Sequence, residues 1–208
     1  MTDDGQKNEP AGESPKAPPQ KKAKGGVEVV DAASDPLVVR LREKFGDGVT
    51  AAIEMVGQRI VSATPEVATD LLGYLKDGDP DRYDLLVDLT AVHRPDETPA
   101  VEVVYQLCST STFARVRVKV GIDDGAPIAT VSGIWATANW LERECYDMFG
   151  IRFEGHPDLR RILLPDGWEG HPLRKEYPVE YRDNDWVREN LNIHALPDDA
   201  DFSGKVEI

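Results

Sequence analysis

Two histidines, His156 and His171, stand fifteen residues apart in the second half of the chain, and each is followed by proline. Together with Cys145, Asp158 or Asp166 they offer the nitrogen, sulfur and oxygen donors of a metal site. Their spacing matches no zinc or iron pattern, and a following proline holds the histidine backbone extended. Glu142 and Glu144 are candidates for acid and base, but two residues apart on a helix they diverge rather than converge on one substrate. No GxSxG turn is present for a serine hydrolase, and no GxGxxG or GxxxxGK loop for phosphate binding. Cys108 and Cys145 lack CxxC spacing and are too few for a disulfide framework, so both are expected to be reduced. None of these residues forms an active site on its own.

Nearly all of them fall in one stretch, residues 140–178, so the elements that position it matter most. A helix is expected over 136–149, closed by Gly150. Trp140, Leu141, Cys145 and Met148 lie toward its core side, and Arg143 and Asp147, four apart, form an exposed pair. Such a pair contributes only about 0.3–0.5 kcal/mol, so Glu142, Arg143 and Glu144 are of more interest as contacts to a partner. Beyond the helix, Phe153-Glu154-Gly155-His156-Pro157 is echoed by Trp168-Glu169-Gly170-His171-Pro172. The bland reading is an ordinary long loop after a core helix. A structureless segment of this length is uncommon in a compact domain unless it has a task, and Trp168, Arg160, Arg161 and Arg174 are of the types that anchor protein interfaces. An interaction subunit is therefore favoured over an enzyme. In the free chain Phe153, Trp168 and the Arg160-Arg161 pair are then expected to lie largely in water.

The rest of the chain supplies a base for this stretch. Residues 1–26, rich in Pro, Lys and Gly with little apolar content, read as a disordered leader. Asp35-Pro36 starts a helix with Leu37, Leu41 and Phe45 on one face, ended by Gly46. Residues 49–62 suggest two strands meeting at Gly57. Thr64-Pro65 repeats the cap-then-proline signal, and Val67, Leu71 and Leu75 mark a second helix. Tyr83, Leu85, Val87 and Leu89 then alternate with Asp84, Asp88 and Thr90, leaving Leu86 as the exception on the polar side. Val101 to Leu107 and Val116 to Val120 form a hairpin, with Arg115, Arg117 and Lys119 on the solvent face. The expected class is α+β: a two-layer domain (27–134) with a mixed, largely antiparallel sheet and helices on one face. The helix and an extended C-terminal arm follow (135–178), then an acidic tail (179–208).

The 208 residues and 40% apolar content suit one core, and the net charge of −14 argues against nucleic acid. No apolar run reaches the roughly 18 residues that cross a bilayer, and the start of the chain lacks the apolar centre of a signal peptide. A chain in the cytoplasm, or held at a membrane by partners, is the expectation.

Glu142-Arg143-Glu144, Asp147-Met148-Phe149-Gly150-Ile151, Phe153, Gly155-His156-Pro157, Leu159-Arg160-Arg161-Ile162 and Gly170-His171-Pro172-Leu173-Arg174-Lys175 closely resemble the C-subunit family of proton-pumping NADH:quinone oxidoreductase, respiratory complex I. The motifs are dense and ordered over nearly forty residues; the domain before them matches more loosely and the tails carry no family signal. Glu176-Tyr177 stands where the family pattern has Asp followed by an aromatic.

The resemblance implies a subunit of the peripheral arm on the cytoplasmic side of the inner cell membrane, membrane-associated only through the complex. It further implies no catalytic, cofactor or metal residue in this chain, with FMN, iron–sulfur clusters and quinone in partner subunits. The D subunit would be the main partner, with the B and iron–sulfur I subunits as neighbours. Partner-binding residues are expected among Glu142, Arg143, Glu144, Asp147, Phe153, His156, Arg160, Arg161, Trp168, His171, Arg174 and Lys175. The alternative is the equivalent subunit of a related membrane-bound hydrogenase or of a quinone oxidoreductase with another electron donor.

Overall fold

A computed structural model describes residues 21–22, 28–177 and 185–191. Of the 1–26 leader, only Lys21–Lys22 (β1) is among them; it pairs with β2 (Glu28–Asp31). The sequence offers no sign of either strand. In the 179–208 tail, only residues 185–191 are described.

Asp35 accepts the amide of Leu37 at 2.8 Å and Pro36 takes the first position of α1 (Pro36–Phe45), as the cap-and-proline signal requires. Leu37, Val38 and Leu41 are fully buried beneath it, each contributing about 1.5–3 kcal/mol of apolar burial. β3 (Val49–Met55) and β4 (Gln58–Ala63) meet at Val56-Gly57, both left-handed at φ 53 and 71. That is the backbone of a tight hairpin turn, natural for glycine and strained for a β-branched valine. α2 (Pro65–Asp77) starts as expected, but the Thr64 side chain makes no capping bond.

β5 (Leu85–His93), β6 (Val101–Cys108) and β7 (Arg115–Ile122) complete the sheet, in the order β1-β2-β3-β4-β7-β6-β5. Only β4 and β7 run parallel, so the sheet is mixed and largely antiparallel. The helices cover one face, where Val61, Val103, Tyr105, Val116, Val118 and Val120 are fully buried.

In β5 the expected alternation fails. Leu86 is buried, whereas Leu85 and Val87 are exposed. The ladder to β6 slips between Leu86 and Asp88, and one extra residue turns every side chain before it to the other face.

The chain then forms β8 (Ile128–Ala129), α3 (Ala138–Phe149) and β9 (Phe153–Glu154), with β8 and β9 paired in parallel, Ile128 beside Phe153. Residues 155–177 contain neither helix nor strand. A short helix, α4 (Asp185–Leu191), buries Val187 and sets Trp186 against Trp168, ring centroids 6.1 Å apart.

Candidate functional site

α3 packs Ala138, Cys145, Met148 and Phe149 toward the core beside β5. The buried stripe follows positions 138, 142, 145 and 149, the helical period. Trp140 therefore falls on the outer side, two residues or about 200° from Ala138. It is 63% exposed, contrary to the core position expected for it, and the Arg143 guanidinium lies over its ring at 5.4 Å.

Glu142 occupies the buried stripe. Expected among the residues of a partner surface, it has no side-chain exposure at all in this chain. Its carboxylate accepts the Val131 amide at 2.7 Å and the Thr130 hydroxyl, tying α3 to the loop after β8. Burial pushes this carboxyl above the ordinary glutamate value, against the pull of those two donors and of His156. The His156 side chain, also without exposure, lies 3.9 Å from it. The Asp158 amide donates to His156 Nδ1 at 3.0 Å, which leaves the ring proton on Nε2 for the Asn139 carbonyl, also at 3.0 Å.

Arg143 and Asp147 do not pair with each other, and neither is exposed. Each reaches sideways from the helix to hold the arm. Arg143 donates to the carbonyls of Arg160 and Arg161 at 3.1 and 3.0 Å. Asp147 accepts three consecutive amides, from Ile162, Leu163 and Leu164, at 2.8–3.0 Å, and the Arg161 guanidinium at 2.7 Å. Burial alone would raise its pKa, but the amides of Leu164, Ile162 and Leu163 and the Arg161 charge outweigh it and hold the carboxyl below its ordinary value. Arg161 then extends to the carbonyls of Trp168 and Gly170 at 2.8 and 3.1 Å.

The second half of the arm closes on the end of α3. His171 Nδ1 donates to the Asp147 carbonyl at 2.8 Å. Its ring fills the space beside Gly150, where a Cβ would sit 2.7 Å from the imidazole; at φ 78 only glycine is comfortable there. The Leu173 amide meets the Met148 carbonyl at 3.0 Å, and Arg174 reaches the Phe149 carbonyl at 3.2 Å and both oxygens of Asp124 at 2.7–2.8 Å. That guanidinium draws the Asp124 carboxyl below its ordinary range, and the Glu176 carboxyl with it. The Lys175 amide donates to Nδ1 of buried His93 at 3.1 Å.

The twelve residues expected at a partner surface thus separate. Glu142, Arg143, Asp147 and Phe153 are buried; Phe153, expected in water, is held in by its pairing with β8. Arg161, Trp168, His171 and Arg174 are partly buried within the arm, as is His156 through its backbone alone, while Glu144, Arg160 and Lys175 are exposed. The outward apolar side chains here are Trp140, Leu163 and Leu173. Sequence reasoning missed Thr130, His93 and Asp124, because each lies far along the chain from its partner and has no local signature.

This arrangement uses its ionised groups to hold backbone. Cys145 is buried and its thiol is pushed well above the ordinary range, first by desolvation and then by nearby carboxylates. Among the described residues no three His, Cys, Asp or Glu side chains come together to hold a metal ion.

Residues 61–183 match the family model described as the respiratory-chain NADH dehydrogenase, 30 Kd subunit. The chain is 43% identical over 162 residues to a protein of Geotalea uraniireducens named as the C subunit of NADH-quinone oxidoreductase, spanning 77% of this chain and 98% of that one. It is 42% identical over 141 residues to a protein of the same name from Roseiflexus, spanning 67% and 81%. Among solved structures, a chain of an archaeal respiratory membrane complex, the membrane-bound sulfane sulfur reductase, superposes with a TM-score of 0.63 at 24% identity, over 81% of this chain and 96% of that chain, and shares its fold. The chain belongs to the family of the 30 Kd subunit of the respiratory-chain NADH dehydrogenase.

Proposed function

We propose that the chain is a non-catalytic subunit of the peripheral arm of a proton-translocating NADH:quinone oxidoreductase, where it scaffolds the quinone-reducing module by binding the D subunit. The observation that carries this is the division of labour around α3. Arg143, Asp147, Arg161 and His171 are consumed in shaping the arm, and what the shaped arm and helix turn outward is Trp140, Leu163 and Leu173 with Arg160 and Lys175. Exposed apolar anchors ringed by charge, on a rigid support, are what a docking surface needs. The residues of such an interface are then these outward ones, with Glu144, and the buried members of the expected set act by holding them in place.

In this reading FMN, the iron–sulfur clusters and quinone belong to partner subunits, and the B and iron–sulfur I subunits are the nearer neighbours. No described helix is long and apolar enough to cross a membrane; as part of the complex the chain would be attached to the cell membrane through its partners, on the cytoplasmic side. The high identity over almost the full length of an NADH-quinone oxidoreductase subunit favours NADH as the donor over the related hydrogenase-type machines.

Purifying the tagged full-length chain from detergent-solubilised membranes tests this. The D subunit and an NADH-oxidising flavoprotein are expected to accompany it in equal amounts. Recovery of the chain alone, or with a hydrogenase, overturns the reading.

A further inference from the structure

The sheet face turned away from the helices carries the half-buried Glu102, Gln106, Arg117 and Lys119, and one end of it is built unlike the rest. β7 places Arg115 and Arg117 on this face, two residues and hence roughly 7 Å apart along the strand. Lys119, next in the row, is paired with Glu102 at 2.8 Å. Neither arginine has a carboxylate within ion-pair distance among the described residues. The Nε of Arg117 is shielded from solvent and has no hydrogen-bond partner. Gln106, which aligns with Arg117 across the ladder, is instead engaged by Gln58 at 3.3 Å.

These side chains line a groove of about 280 Å³ together with Val87 and Asp88. Beside it stand apolar groups that a free domain has no reason to expose. The bulge in β5 turns Val87 outward to 57% exposure, and Leu85, level with Arg115 across the ladder, is exposed too. Phe113, two residues before Arg115, is 80% exposed with its backbone in the left-handed region at φ 59. Strained backbone and a bare aromatic ring beside two unpaired guanidinium groups mark a place that something else covers. The two guanidinium groups make this spot locally basic and complementary to a carboxylate, while the net charge of −14 on the chain as a whole disfavours a phosphate-rich polymer.

We propose that this groove is a second docking site, separate from the arm, for an acidic segment of another protein in the assembly. One Asp or Glu side chain is bracketed by Arg115 and Arg117, and a neighbouring apolar side chain rests on Val87 and Phe113. Two guanidinium groups on one carboxylate give charge-assisted, directional bonds, and the apolar rim keeps water from them. The inference rests on the reading that the chain works inside a multi-subunit complex, but not on which subunit the arm binds.

The test uses the intact purified complex with a photo-crosslinking benzoylphenylalanine in place of Phe113, and separately in place of Leu163 on the arm. From position 113 the expected adduct is a peptide of another subunit with an Asp or Glu within three residues of the attachment point. Arg115→Glu with Arg117→Glu is expected to cut that adduct at least tenfold while the Leu163 adduct persists. The gentler Arg115→Gln with Arg117→Gln, compared at equal thermal stability, moves it in the same direction. No adduct from 113 while Leu163 still crosslinks overturns the groove and leaves the arm reading standing; the reverse pattern does the opposite. An adduct to nucleic acid, to a second copy of this chain, or one indifferent to both double variants also overturns it.

Discussion

The Asp147 carboxylate and the Arg161 guanidinium meet at 2.7 Å across a fourteen-residue separation, and every other bond either group makes is to backbone of the arm or the end of α3. The pair is a knot: one end gathers the amides of Ile162, Leu163 and Leu164, the other the carbonyls of Trp168 and Gly170. Both halves of the arm depend on it.

Asp147→Ala should therefore do more than remove a helix charge. It leaves three partly buried amides without an acceptor and Arg161 without its counter-ion, a loss of about 3 kcal/mol. Urea unfolding of the full-length chain checks the magnitude, and hydrogen exchange should show residues 160–173 unprotected while β6 and β7 stay protected. Because the folded carboxyl is held below its ordinary value, its contribution is complete above the unfolded value of about 3.9 and is lost as pH falls through the folded value. The wild-type chain should lose stability on acidification there, and Asp147→Ala should lose much less.

Glu142 has the opposite sign. Its folded pKa is raised by burial, so below the unfolded value, about 4.3, both states hold the proton and nothing is lost. As pH rises from there through the folded value, the folded chain increasingly resists ionisation and stability falls; above that value the penalty is constant. Glu142→Gln stays neutral and its carbonyl can still accept the Val131 amide. Its stability relative to wild type should improve as pH rises from the unfolded value, about 4.3, through the folded one, measured as urea midpoints. A constant offset across that range would mean that the carboxyl titrates as it does in the unfolded chain.

These two residues also show where the sequence stops being readable. α1, α2, the β3–β4 hairpin and the β6–β7 hairpin are legible because proline, glycine and period-two signals act within a few residues. The register of β5 is not, since a bulge at Val87 is decided by how β6 pairs with it. Arg143 and Asp147 stand four apart and invite a local pairing, whereas their real partners are arm backbone fifteen to eighteen residues on and the Arg161 guanidinium. Glu142 lies in the apolar stripe of α3, a visible anomaly, but its donors Thr130 and Val131 come from a preceding loop that no periodicity announces. The family motifs single out α3 and the arm while leaving open which of their residues shape the arm and which look outward.

That last distinction can be measured by comparing two tryptophans. Trp168 is packed with Trp186 inside the arm and α4, so Trp168→Ala should lower the stability of the free chain and harm assembly only through folding. Trp140 is 63% exposed, with the Arg143 guanidinium over its ring. An exposed cation–π contact is worth about 0.5–1 kcal/mol, so Trp140→Ala should leave the melting temperature nearly unchanged. If Trp140 is an interface anchor, the same substitution removes about 2 kcal/mol or more of binding, roughly a thirtyfold loss of affinity for the complex. Titrating each variant of the purified chain into complex depleted of it, and following recovery of NADH-driven quinone reduction, separates the cases. The expected result for Trp140→Ala is a shifted titration that still reaches full turnover at saturation. Full assembly with turnover abolished would place Trp140 in the chemistry, and an unshifted curve would move the docking surface elsewhere on the chain.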